Sequence, residues 1–168
     1  MRVETDLKLD FDDVLIRPKR STLTSRKDVD LHRSYNFLHG GSYFEGIPVM
    51  AANMDGVGEL EVGETLSSLD LFTCYKKNID EGSLIEALKL YTVNKQRDNV
   101  AVTIGRNDND FDKLGRISKH VIVKNICVDV ANGYSQAFVD FVSKVRDNYP
   151  NSNIFAGNVV TGEMVEEL

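Results

Sequence analysis

The stretch Asn125–Val160 reads NICVDVANGYSQAFVDFVSKVRDNYPNSNIFAGNVV, and its pattern decides the fold. It opens on a short apolar run, Asn125–Val130, with no clean polar alternation. Such a run suits a strand buried on both faces, as in a parallel sheet. Ser135–Asn148 follows, with Phe138, Phe141, Val142 and Val145 at i, i+3, i+4 and i+7. That spacing gathers the apolar side chains on one helical face. Pro150 stops the helix, and a second apolar run, Ile154–Val160, begins just beyond it. A strand, a helix and a strand in this order predict a right-handed crossover between parallel neighbours.

Working outward, the same unit recurs. Apolar runs at Ile47–Ala52, Leu71–Tyr75 and Val100–Ile104 predict three earlier strands. Glu59–Ser68, Ser83–Tyr91 and Phe111–Lys119 predict the helices between them. Thr161 is placed to cap a last helix, with Glu163 in its first turn. Two architectures fit: a doubly wound open sheet, or a (β/α) barrel, whose full form needs eight strands and about 250 residues. Only about five units are present in 168 residues, so pattern alone favours the open sheet. Residues 1–45 stand outside the alternation. There, Val29–Leu38, Gly40-Gly41 and Ser42–Phe44 predict a β-hairpin covering the bottom of the sheet. The whole chain, residues 1–168, reads as one domain made of this extension and the βα units from residue 46 on.

Composition narrows the classes of function. The chain is 42% hydrophobic and 27% charged, with a formal net charge of -6, so broad nucleic-acid binding is not expected. No apolar run approaches the roughly 20 residues of a membrane span, and the N-terminus has no signal-peptide core. The two cysteines, Cys74 and Cys127, lie inside apolar runs, which argues against a disulfide framework and for a reducing compartment. A cytoplasmic protein is expected. His32, His39 and His120 are scattered, and no HExxH or CxxC metal motif is present.

In parallel α/β folds ligands collect at the carboxyl ends of strands. The residues there are Asn53, Asp55, Gly56 and Gly58; Lys76, Lys77 and Asn78; Gly105, Arg106 and Asn107; Asp129, Asn132 and Gly133; and Gly157 and Asn158. Any one of them can serve only as a turn or a helix cap. Together they predict a polar rim. Lys77 is the sharpest candidate, expected near Asp129 and suited to a carbonyl or a phosphate; its plainer role is a rim salt bridge. The basic run Arg17–Arg20 and the pair Arg26-Lys27 can hold a phosphate, although charge runs more often form solvated faces. Both cysteines read as small buried hydrophobes.

Longer segments carry a resemblance. LKLDFDDVLIRPKRSTLTSRKDVDL at Leu7–Leu31, GIPVMAANMD at Gly46–Asp55, ICVDVANGYS at Ile126–Ser135 and AGNVVTGEMVEEL at Ala156–Leu168 resemble the GMP reductases, relatives of the IMP dehydrogenases. The resemblance implies a (β/α)8 TIM barrel, here truncated after about the fifth strand and preceded by the β-hairpin extension, and so overrides the open sheet. It implies NADPH-dependent reductive deamination of GMP to IMP and ammonia, in an oligomer. It assigns Lys77, Asp129, Val130 and Ala131 to the nicotinamide end of NADPH. Ser25 and Arg26 go to the adenosine end of a cofactor bound by a neighbouring subunit, where a guanidinium suits a 2′-phosphate.

By the same resemblance, the catalytic cysteine loop, the Thr–Glu proton-transfer pair, the GMP-phosphate loops and the monovalent-cation site all fall beyond Leu168. The expected partners are therefore GMP or IMP, NADPH, and further copies or a missing C-terminal half. The chain alone is not expected to turn over. A non-catalytic interaction module and an IMP dehydrogenase-like enzyme are the alternatives. Three positions depart from the family wording: Gly56 for a threonine, Lys76 for a histidine, and Arg106 where small residues are usual.

Overall fold

The structure is a computed structural model that describes residues 3, 5, 7, 9–39, 43–94 and 99–168. It divides into two compact units, Met1–Asp30 and Leu31–Leu168. The first holds two single-turn 3-10 helices, Phe11–Asp13 and Arg26–Asp28. Each begins with a reciprocal capping box, Asp10 with Asp13 and Ser25 with Asp28. That pairing satisfies backbone donors that so short a helix leaves open.

The second unit starts with the expected hairpin, β1 (Arg33–Asn36) antiparallel to β2 (Tyr43–Gly46). Its predicted turn residues, Gly40, Gly41 and Ser42, lie outside the described residues. Five parallel strands follow: β3 (Met50–Ala51), β4 (Phe72–Tyr75), β5 (Val100–Ile104), β6 (Asn125–Asp129) and β7 (Asn153–Gly157). Helices α1 (Leu60–Ser68), α2 (Glu81–Asn94), α3 (Asp108–Ser118), α4 (Gln136–Asn148) and α5 (Gly162–Glu167) succeed them in strict alternation.

Strand order corrects the open-sheet expectation. The sheet runs β3-β4-β5-β6-β7 without reversal. A doubly wound sheet reverses at a switch point, whereas a barrel adds each strand on the same side. The sheet is also curled. On a flat sheet, strands three apart lie about 14 Å from one another. Yet the ring of Phe72 on β4 meets that of Phe155 on β7 at 5.4 Å between centroids. Likewise Asn53, just past β3, lies 3.0 Å from Asp129 on β6. The five strands form half of a barrel, and its concave face is the lumen.

The two faces are filled differently. Outward, Tyr75, Val102, Ile104, Ile126 and Val128 meet Leu84, Leu114, Ile117, Phe138 and Val145 from the helices in one buried cluster. Inward, Phe72, Cys74 and Ala101 pack with Phe44 of the hairpin, joined by half-buried Phe37, Cys127 and Phe155. The hairpin was expected at the bottom of the sheet; its Phe44 and Phe37 pack with lumen residues.

Boundaries differ from the periodicity where polar groups intervene. Pro48 has no N–H to give a ladder, and β3 shortens to Met50–Ala51. α2 begins at Glu81, two residues early, because Asp80 accepts from the Ser83 N–H at 3.0 Å. α3 begins at Asp108 because Asn107 caps it, accepting from the Asp110 N–H at 2.7 Å. Thr161 precedes α5 but makes no side-chain cap bond; its N–H donates to the Tyr134 hydroxyl at 3.1 Å.

Candidate functional site

The strand ends of the half-barrel form the expected polar rim, and an internal network holds each loop. After β3, the turn at Asp55–Val57 has Gly56 in the left-handed region at φ 76°, where a side chain is strained. Gly58 then passes so close to β4 that a Cβ would stand 2.6 Å from the Cys74 carbonyl oxygen and 2.8 Å from the Lys76 nitrogen. Here the backbones bond directly, with the Lys76 N–H donating to Gly58 O at 2.8 Å.

Lys76 clamps this loop. Its ammonium donates to Glu59 at 2.6 Å and to Asp55 at 3.2 Å, while the same Glu59 oxygen accepts from the Gly56 N–H at 3.2 Å. The Lys76 ammonium and the Gly56 N–H hold the Glu59 carboxyl below the usual carboxylate range. Glu59 and Asp55 in turn hold the lysine above its usual value. The clamp fixes the loop that carries Asn53, whose amide donates to Asp129 Oδ2 at 3.0 Å.

Lys77, in the turn after β4, has a different partner. The carboxylate at ion-pair distance from Lys77 is that of Asp110, at 4.0 Å, where the sequence suggested Asp129. Asp110 is the rim residue that the sequence reading missed. It is buried, and it accepts from the Gly105 N–H at 2.9 Å and the Asn107 amide at 3.0 Å. The Asn107-x-x-Asp110 spacing, a capping-box pattern, was the available signal. Lys113 braces the β4–α2 loop from below, donating to the backbone oxygens of Lys77 at 2.8 Å and Ile79 at 2.6 Å. Burial pushes its ammonium pKa down.

Val130 and Ala131 follow Asp129 in the β6–α4 loop; Val130 is half-buried and Ala131 is exposed. The Tyr134 hydroxyl ties this loop to the next, accepting from Val160 N at 2.8 Å and Thr161 N at 3.1 Å. Gly133 packs against the Asn158 backbone, where a Cβ would stand 3.0 Å from Asn158 O. Arg106 is exposed at the third strand end.

Ser25 and Arg26 belong to the other compact unit. Ser25 Oγ accepts from the Lys27 N–H at 3.2 Å, and Asp28 accepts from the Ser25 N–H at 3.0 Å. Arg26 is exposed.

Below the rim lie the two cysteines. Both are free thiols on the lumen side of the sheet, and Cys74 Sγ donates to Met50 Sδ at 3.4 Å. Interaction with Cys127 and burial push the Cys74 thiol up, while interaction with Cys74 draws Cys127 down against its own burial. Among the described residues no group of three or more His, Cys, Asp or Glu side chains is placed to hold a metal ion. No described helix is long and apolar enough to cross a membrane.

A half-barrel with Asn53, Lys76, Lys77 and Asp129 at its strand ends defines an α/β barrel protein. The sequence of residues 8–168 matches the family model described as "IMP dehydrogenase / GMP reductase domain". The chain belongs to the IMP dehydrogenase / GMP reductase family. It is 49% identical over 172 aligned positions to a GMP reductase of Citrobacter koseri, an alignment that covers 100% of this chain and 48% of the relative. Identity is 48% to a GMP reductase of an Enterobacter species and 47% to one of Escherichia coli, with the same coverage. The chain thus spans about half the length of these relatives.

Proposed function

We propose that this chain carries the nicotinamide side of an NADPH-dependent GMP reductase, an oxidoreductase that converts GMP to IMP and ammonia. The observation behind this reading is the rim itself. Asn53 fixes Asp129 from across three strands, and Lys77 stands two strands from Asp129 on the same edge, in a chain about half identical to GMP reductases.

The residues suit the cofactor. Asn53 engages one oxygen of the Asp129 carboxylate, and the other is an acceptor for a ribose hydroxyl or a carboxamide NH2. Lys77 brings three N–H donors for a carbonyl or a phosphate, and its half-exposed side chain can swing from Asp110 at little cost. Val130 and Ala131 offer apolar contact for a ring face. Bound NADPH supplies the hydride. These residues orient it and keep its reactive end at the mouth of the lumen. Ser25 and Arg26 are assigned to the adenosine end of a cofactor held by a neighbouring copy, with Arg26 facing the 2′-phosphate.

The test is a fusion of this chain to the C-terminal half of the Citrobacter koseri GMP reductase, assayed for GMP-dependent NADPH oxidation. The fusion is expected to turn over and the 168-residue chain alone is not. Lys77→Ala and Asp129→Ala in the fusion should raise KM for NADPH more than KM for GMP. A folded fusion that binds GMP but oxidises no NADPH, or clear turnover by the chain alone, contradicts the reading.

A further inference from the structure

We propose that Lys76 is a positioning residue for the cofactor: through Glu59 it holds the loop after β3 in the course that lets Asn53 fix the Asp129 carboxylate, a role that rests on the assignment of Asp129 to the nicotinamide end of NADPH. Little apolar packing holds that loop. β3 is two residues long and pairs with β4 at Met50 and Ala51. Residues 52–57 are exposed except for half-buried Asn53. A Cβ on Gly56 would meet nothing within 4 Å. Polar bonds therefore set the loop's course. Met54 O accepts from the Val57 N–H at 3.1 Å and from the Gly58 N–H at 2.8 Å, which closes the turn. Glu59 ties that turn to β4, accepting from the Gly56 N–H at 3.2 Å and from the Lys76 ammonium at 2.6 Å. Lys76 is itself held at its backbone, where its N–H donates to Gly58 O at 2.8 Å.

Asp129 needs such a hold. It is exposed at the end of β6, and an exposed carboxylate turns among its rotamers unless a partner fixes it. Asn53 is that partner, at 3.0 Å. The bond lasts only while the loop keeps Asn53 in reach. A loosened loop returns rotational freedom to both side chains, and a ligand must remove that freedom when it binds. Gly56 and Lys76 are also two of the three positions where the sequence departs from the family wording. Gly56 stands at φ 76°, which a threonine would adopt only under strain. The clamp is thus written where this chain parts from that wording.

Position and charge predict opposite signs here. Asp55, Glu59 and Asp129 have the same charge as the phosphates of NADPH, and Lys76 offsets part of it through its bonds to Glu59 and Asp55. If Lys76 acted by its charge alone, removing Glu59 would strengthen binding, because one repelling carboxylate would be gone. Acting by position, Lys76 needs Glu59, and removing Glu59 weakens binding because the link from Lys76 to Gly56 is cut.

The experiment is equilibrium binding of NADPH to the full chain, followed by fluorescence, in a double-mutant cycle with Asp129→Ala. Lys76→Ala, Glu59→Ala and Asn53→Ala are each expected to raise Kd about three- to tenfold, the size of coupling within one hydrogen-bonded network. In the Asp129→Ala background the carboxylate to be positioned is gone, so the same changes should raise Kd no further. Lys76→Arg, which keeps the charge and the donors, should bind as the wild-type chain does. Circular dichroism checks the fold of each variant, and Glu59→Ala carries the same cycle if Lys76→Ala does not fold. No saturable binding by the wild-type chain, or undiminished binding in Asp129→Ala, contradicts the cofactor assignment, and the proposal falls with it. Where Asp129→Ala does weaken binding, four results overturn the proposal and leave the assignment standing. They are unchanged affinity in folded Lys76→Ala or Glu59→Ala, tighter binding in Glu59→Ala, a further loss on adding Lys76→Ala to Asp129→Ala, and equal losses in Lys76→Arg and Lys76→Ala.

Discussion

The two faces of the five-stranded sheet are built from neighbouring residues of the same strands, yet they close in different ways. On the outer face each crossover brings its own cover. Ile104, Leu114, Ile117, Ile126, Phe138 and Val145 are fully buried within segments close in sequence. On the lumen face the cover is assembled from afar: the hairpin, β4 and β7 meet through Phe37, Phe44, Phe72 and Phe155. The outer face is a stability device completed within this chain. The lumen face is a gathering place, where side chains from strands far apart in sequence converge.

The largest test of that contrast is Phe138→Ala. Removing a fully buried ring under the outer face should cost about 3–5 kcal/mol in urea unfolding. Phe155→Ala on the lumen face should cost about 1–2 kcal/mol, because the ring is only half-buried. Equal losses would erase the distinction between the faces. Asp110→Ala should fall between or below these, at about 1–2 kcal/mol, through the loss of its bonds to Gly105 and Asn107 at the start of α3.

The smallest effect belongs to the Lys76 clamp, and its pH dependence is signed. Glu59 is held below the ordinary carboxylate range, so its contribution is complete above that range and disappears only as the pH falls through the lowered value. Lys76 is held above the ordinary lysine value, so its contribution is complete below that value and is lost as the pH rises through the raised one. The protection of the Asn53–Gly58 amides relative to their intrinsic exchange should therefore stay level across neutral pH and fall only in strong acid or strong alkali. Glu59→Gln should remove the acid limb. A transition near neutrality would show that some other group governs the loop.

This contrast also explains what the sequence disclosed. Periodicity and apolar runs are local, so the strands, the helices and the outer core were legible to within about three residues. Polar exceptions such as Pro48 and Asp80 account for the shifted ends. Sheet order and curl are not local; the run of five units favoured an open sheet, and the family resemblance was needed to choose the barrel. At the rim, the strand-end positions of Lys77 and Asp129 could be read directly. Their partners, Asp110 and Asn53, lie 33 and 76 residues away, and only the closed geometry joins them.

Equilibrium binding of NADPH to the full chain, followed by fluorescence, bears most directly on the assignment of this rim to the cofactor. Saturable binding is expected, weakened about tenfold or more by either Lys77→Ala or Asp129→Ala, the loss of one charged hydrogen bond being worth about 1.5–3 kcal/mol. Undiminished affinity in both folded variants, or no saturable binding by the wild-type chain, would contradict it.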